Sequence, residues 1–156
     1  MRTILLLLLS ALVAGGPAMA ADPGTQQAML AEVNAVRGGM GLPPVRLEPR
    51  LSRTATQHSR DMLETGRLGH QGRDGSDPGQ RLSRAGYRWS TYRENVAAGQ
   101  LHPREVMYSW MTSPGHRANI LAPDVTQMGI GFAGGPGVMA GGIPRMFWTM
   151  VLAAPR

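Results

Sequence analysis

Histidines and carboxylates carry acid–base and metal chemistry near neutral pH. Four of them stand in structured surroundings in this 156-residue chain. His70 follows the predicted end of a helix. Glu94 opens the run Glu94-Asn95-Val96-Ala97-Ala98-Gly99. Glu105 lies in the first turn of a predicted helix, and His116 follows Ser113-Pro114-Gly115. Each also has a purely structural explanation. An acid in a first helical turn is favoured by the helix dipole. Glu94 suits a strand edge, and both histidines suit loops. His58 falls on an apolar helix face and reads as a core histidine with a backbone partner. Spacing alone leaves these residues as separate polar side chains.

Other chemistry is excluded by composition. All sixteen basic residues are arginine. Without lysine there is no Schiff-base enzyme, no Ser–Lys dyad and no phosphate-binding Walker loop. There is no cysteine, so thiol nucleophiles, zinc fingers and disulfides are absent and packing must carry stability. No His-Glu-x-x-His helix and no Gly-x-Ser-x-Gly elbow occurs. The net charge of +6 comes from singly scattered arginines that form no basic block, which describes a solvated surface and implies no nucleic-acid partner.

The elements that must hold the candidate residues are legible from caps and periodicity. A helix is expected over Pro23–Arg37, with Met29, Val33, Val36 and Met40 as its apolar stripe. An extended loop follows through Gly41–Val45, because residues before proline avoid the helical region. A second helix runs from Pro49 to Gly66 over Leu51, Ala55, His58 and Met62. A third starts at Asp77-Pro78-Gly79-Gln80, a capping box, and ends at Gly86. A fourth starts near Pro103, carries Val106, Met107, Trp110 and Met111, and is stopped by Pro114. Met128–Ala133 and Met146–Leu152 read as two strands joined by a glycine-rich hairpin connection, with another short strand at Glu94–Ala98. Helices first and a strand pair last make the fold class α+β.

The start of the chain has another purpose. Arg2, the apolar run Ile4–Leu9 and Ala18-Met19-Ala20 mark residues 1–20 as a secretory signal peptide. Residues 21–156 then form a single domain, secreted to the periplasm or the exterior, with no further apolar run of membrane-spanning length.

The order of segments resembles the CAP superfamily, the SCP-like domain of cysteine-rich secretory, antigen 5 and pathogenesis-related proteins, and most closely its bacterial secreted branch. The resemblance rests on Leu30 through Arg37, Gly41-Leu42-Pro43-Pro44, His58-Ser59-Arg60-Asp61-Met62, His70 and Arg81-Leu82. It continues through Glu94-Asn95-Val96-Ala97 to its most specific piece, Trp110-Met111-Thr112-Ser113-Pro114-Gly115-His116-Arg117-Ala118-Asn119-Ile120-Leu121. Met128-Gly129-Ile130-Gly131 and Phe147-Trp148-Thr149 close it, so residues 28 to 152 are covered.

The resemblance implies a three-layer α-β-α sandwich around a small, mainly antiparallel sheet. It implies a cleft in which His70, Glu94, Glu105 and His116 converge, with His70 and His116 as ligands for a divalent cation such as zinc. No nucleotide or organic cofactor is implied. Three functions fit such a cleft. The first is a binding module for a small lipid, peptide or glycan. The second is a metal-assisted hydrolase, and the third a structural domain with a buried His–Glu network. Binding stands first, and whether the protein is an enzyme stays open.

Overall fold

The computed structural model describes residues 23–156. The signal-peptide expectation falls on residues 1–20, outside the described residues. The order of elements is α1 (Pro23–Gly39), β1 (Arg46–Leu47), α2 (Pro49–Thr65), α3 (Pro78–Arg84) and β2 (Trp89–Ala98). Then follow α4 (Pro103–Thr112), α5 (Pro114–Ile120), β3 (Gln127–Val138) and β4 (Pro144–Pro155). The sheet order is β1-β3-β4-β2. β3 and β2 both run antiparallel to β4, while β1 adds two parallel residues to β3. The architecture is α+β, with helices on both faces of the sheet.

Strand alternation assigns each face its helices. Met128, Ile130 and Phe132 of β3 join Trp148, Met150 and Leu152 of β4 in one core with Met29, Val33, Val106 and Trp110. That face therefore carries α1 and α4. The intervening residues point the other way. Val151 and Ala153 meet Leu51, Ala55 and Leu82, while Ala133 and Phe147 meet Met62 and Leu63, which places α2 and α3 on the second face. On that face β3 presents glycines. A Cβ on Gly129 would lie 2.2 Å from the backbone of Leu51 and Ser52, and one on Gly131 would lie 2.2 Å from Thr56 N. The absent side chains let the α2 backbone rest directly on the strand.

Three sequence expectations shift. Pro114 ends α4 but also opens α5, because proline at a first helical position costs no hydrogen bond. The extended loop before Pro49 continues into β1, which pairs with Gln127 and Met128. On α1 the buried stripe runs Met29, Val33, Arg37, whereas Met40 is exposed. Arg37 is fully buried, with no acid partner among the described residues. Its guanidinium donates to the carbonyls of Pro43, Ile120, Ala122 and Val125 at 2.8–3.4 Å. Burial lowers its pKa. This one side chain ties the end of α1 to the segment between α5 and β3.

β2 is an edge strand, and side chains cover its outer carbonyls. Trp110 Nε1 donates to Val96 O at 3.1 Å and Asn119 Nδ2 donates to Glu94 O at 3.2 Å. An edge so occupied is closed to further strand pairing. Among the described residues no helix is long and apolar enough to cross a membrane.

Candidate functional site

Glu94 sits on β2 with the same alternation as Val96, so its side chain points to the α2 face. It is almost completely buried there, at 3% exposure. A buried carboxylate needs compensation. Arg81 of α3 supplies it, with Nη2 2.6 Å from Glu94 Oε2. The same guanidinium donates through Nη1 to the carbonyls of His70 and Ser76, at 2.8 and 3.0 Å. Arg81 therefore holds both the charge and the loop between α2 and α3. The Asp77–Gln80 capping box fixes the start of α3 and hence where Arg81 begins.

His70 lies on that loop. Its Nδ1 donates to Glu94 Oε1 at 3.0 Å, and its ring is 55% exposed. Nδ1 must carry the proton, since a carboxylate accepts. Nε2 then has no partner among the described residues and faces outward. The Glu94 hydrogen bond raises the His70 pKa, and burial opposes it.

His58 lies beneath, on α2, fully buried. Its Nε2 is 2.8 Å from Gly69 O, so Nε2 is the donor and the ring holds the residue before His70. Glu94 Oε1 is 3.9 Å from the same nitrogen. Burial lowers the His58 pKa and outweighs the attraction of Glu94. A neutral His58 with its proton on Nε2 suits this place. The core reading of His58 was correct, and the structure adds that this histidine supports the loop that carries His70.

His116 comes from α5. The α5 backbone is tied to β2, where Asn95 Nδ2 donates to His116 O at 3.0 Å and Asn119 Nδ2 donates to Asn95 Oδ1 at 2.8 Å. Neither ring nitrogen of His116 has a partner among the described residues. Desolvation lowers its pKa first, and the nearby charge of His70 lowers it further. The His70 and His116 pKa values thus move in opposite directions.

Glu105 is not brought to this group. It is exposed on α4, and its Oε2 accepts the backbone N–H groups of Leu101 and His102 at 2.8 and 3.3 Å. A carboxylate three residues past a helix cap finds free amide donors within reach, and those donors take it. Sequence reasoning left Arg81, Asn95 and Asn119 without a role. Nothing local marks Arg81 among sixteen arginines. Its partner lies thirteen residues farther along.

The donor set bears on a metal. Catalytic zinc is held by three protein ligands, and structural zinc by four. Among the described residues no group of three His, Cys, Asp or Glu side chains is placed to hold an ion. Both Glu94 oxygens are already engaged. What remains is two imidazoles, which do not fit a three-ligand zinc centre.

One expected result follows directly. In an NMR titration of the ring protons, His70 should titrate above about 6.5, the unperturbed value, with His58 and His116 below it. Glu94→Gln should bring the His70 midpoint down, because the acceptor charge is gone. A His70 midpoint unmoved by that change would break the assignment of its partner.

Comparison with known proteins gives a consistent result. The family model described as the cysteine-rich secretory protein family, CAP, matches residues 30–152. A Bacillus subtilis protein, YkwD, is 38% identical over 99 residues, which is 64% of this chain and 38% of that protein. An extracellular protein with an SCP domain from Bacillus anthracis superposes with a TM-score of 0.72 at 25% identity, covering 83% of this chain and 40% of that one. An outer surface protein from Borrelia burgdorferi gives a TM-score of 0.76 at 17% identity, over 89% of this chain and 99% of that chain. The chain spans about two fifths of the length of the two Bacillus relatives.

Proposed function

Since the chain belongs to the cysteine-rich secretory protein (CAP) family, we propose that it is an extracellular binding module that offers His70 and His116 to a small lipid, peptide or glycan. The observation that carries this reading is the burial and pairing of Glu94. Its two oxygens hold His70 and Arg81 and its side chain is 3% exposed, so the acid positions an imidazole and is shut away from the water it would have to activate. The ring nitrogens left open, His70 Nε2 and both of His116, are suited to hydrogen-bonding a ligand.

Native and then denaturing mass spectrometry of the protein isolated from its secretion tests this. A co-purifying molecule, lost or reduced in His70→Ala/His116→Ala, is the expected result. A bound molecule retained equally by the double variant would place the ligand elsewhere and overturn the reading.

A second reading, hydrolysis, has one observation in its favour. The shifts of His70 upward and His116 downward separate an acid from a base, as paired catalytic groups require. Turnover of a panel ester or peptide that disappears with His116→Ala would promote it.

For a metal, the two imidazoles predict weak binding. Calorimetric titration of zinc at pH 7.5 should show binding that disappears in the double variant. Protons compete for the same nitrogens. A raised His70 pKa therefore starts the loss at a higher pH than an ordinary histidine would show. Equal zinc binding by parent and double variant would assign the ion to other groups such as His102.

A further inference from the structure

From Met128 to Pro144 the chain carries no polar side chain. As far as Ala133 this is the core of β3, where such a run belongs. From Pro136 to Ile143 it is surface, and every residue there except the half-buried Met139 is exposed. Exposed turns ordinarily draw on Asn, Asp and Ser as well as on Gly and Pro. We propose that this tip of the β3–β4 hairpin is a membrane-docking element that seats the protein on the surface of a phospholipid bilayer with anionic headgroups. The tip shares no residue with the His70–His116 site.

The strand register places the tip at one end of the molecule. Val138 pairs with Pro144, whereas Ala98, the last residue of β2, pairs with Phe147. β3 and β4 therefore run roughly 10 Å beyond the end of β2. Leu101 stands at the same end. The chain turns there at Gly99, where a Cβ would lie 2.5 Å from Ile143 Cγ2, so the missing side chain leaves room for the tip. Val138 is 62% exposed, Leu101 51% and Ile143 45%. Among the described residues six large hydrophobic side chains are exposed, and these three stand together at one end. Apolar surface gathered in this way marks an interaction site more than singly scattered residues do.

Shape favours lipid as the occupant. The hairpin projects and encloses nothing, so it offers no groove to a guest. It also closes on itself: Met139 N–H donates to Ile143 O at 2.7 Å, and Gly142 N–H donates to Met139 O at 3.2 Å. A turn that satisfies part of its own backbone loses less on leaving water. Apolar side chains on such a projection enter the boundary between headgroups and acyl chains to a depth of about 5–10 Å.

Charge narrows the class of lipid. After Asp124 the chain has no acidic residue, and its net charge is +6. Arg145 stands directly behind the tip. Its Nη2 donates to Leu63 O at 2.9 Å, and no acid pairs with it among the described residues. Glu105 lies behind Leu101 with its carboxylate on backbone N–H groups, and Arg104 beside it offsets its charge. A guanidinium at the base of an apolar tip meets an anionic headgroup while the tip enters the apolar boundary.

Co-sedimentation with vesicles made of equal parts phosphatidylcholine and phosphatidylglycerol tests the proposal. The protein should partition onto them, and about fivefold less onto phosphatidylcholine alone, the effect of one arginine near an anionic surface. Leu101→Ser/Val138→Ser removes two exposed side chains and should weaken partitioning at least tenfold, with an unchanged circular dichroism spectrum. Met40→Ser is the control. Met40 is as exposed as these two but stands at the other end of β3, where Arg37 is bonded to Val125 O. Its loss should leave partitioning unchanged. Equal weakening by the two variants would reduce the effect to general hydrophobicity and overturn the proposal. So would a tip variant that partitions like the parent, equal binding to both kinds of vesicle, or no binding to either. Self-association of the parent without vesicle binding, abolished in the tip variant, would give the tip to a second copy of the chain and overturn it too.

Discussion

Arg81→Met is expected to lower stability by about 3–5 kcal/mol, the range for removing one partner of a buried ion pair. The pair qualifies. Side-chain exposure is 8% for Arg81 and 3% for Glu94, and their atoms are 2.6 Å apart. Methionine keeps much of the volume but leaves Glu94 buried with only His70 to offset it. It also releases the carbonyls of His70 and Ser76. Against a total of about 5–15 kcal/mol for a domain, the loss is large. The absence of cysteine removes any disulfide that would hold the loop in its place. Urea denaturation of four proteins checks it: parent, Arg81→Met, Glu94→Gln and the double variant. The double variant should recover a substantial part of the loss, since no charge is then stranded. If Arg81→Met alone matches the parent, Glu94 is reached by water and the buried pair does not exist as described.

Trp110→Ala is expected to cost about 3–5 kcal/mol, the usual range for truncating a large buried aromatic. Trp110 is fully buried among Met29, Val33, Val106 and the inward residues of β3 and β4. It also donates to the Val96 carbonyl on the edge strand. Trp110→Phe separates the two contributions. It retains most of the apolar contact and strands one carbonyl, a loss of about 1–3 kcal/mol. Thermal melts should therefore rank parent above phenylalanine above alanine. Alanine equal to phenylalanine would show that the hydrogen bond outweighs packing. Alanine equal to the parent would mean that α4 does not stand on the sheet through this residue.

Short-range physics made much of the fold legible before any coordinates. Proline at first helical positions, the Asp77–Gln80 box and the 3.6-residue stripes located α1 to α4. Alternation and glycine spacing located β3 and β4. These signals work because caps and periodicity depend on neighbours a few residues away. His70, Glu94 and His116 were nameable from the segments around them. Their partners were not. His70 and Glu94 are 24 residues apart, Arg81 and Glu94 thirteen, and Arg37 meets carbonyls more than eighty residues away. Sequence patterns carry no information on which distant polar group will satisfy a buried one. Glu105 shows the same point in reverse: only the resemblance implied a place in the cleft, while its position in a first helical turn pointed to the helix start, where two backbone donors within four residues take its carboxylate. Arg81 could be told from fifteen other arginines only after β2, α2 and α3 had enclosed it. Burial removes water as an alternative partner, so only the packed structure decides which charges must pair and which side chains remain free to meet a ligand.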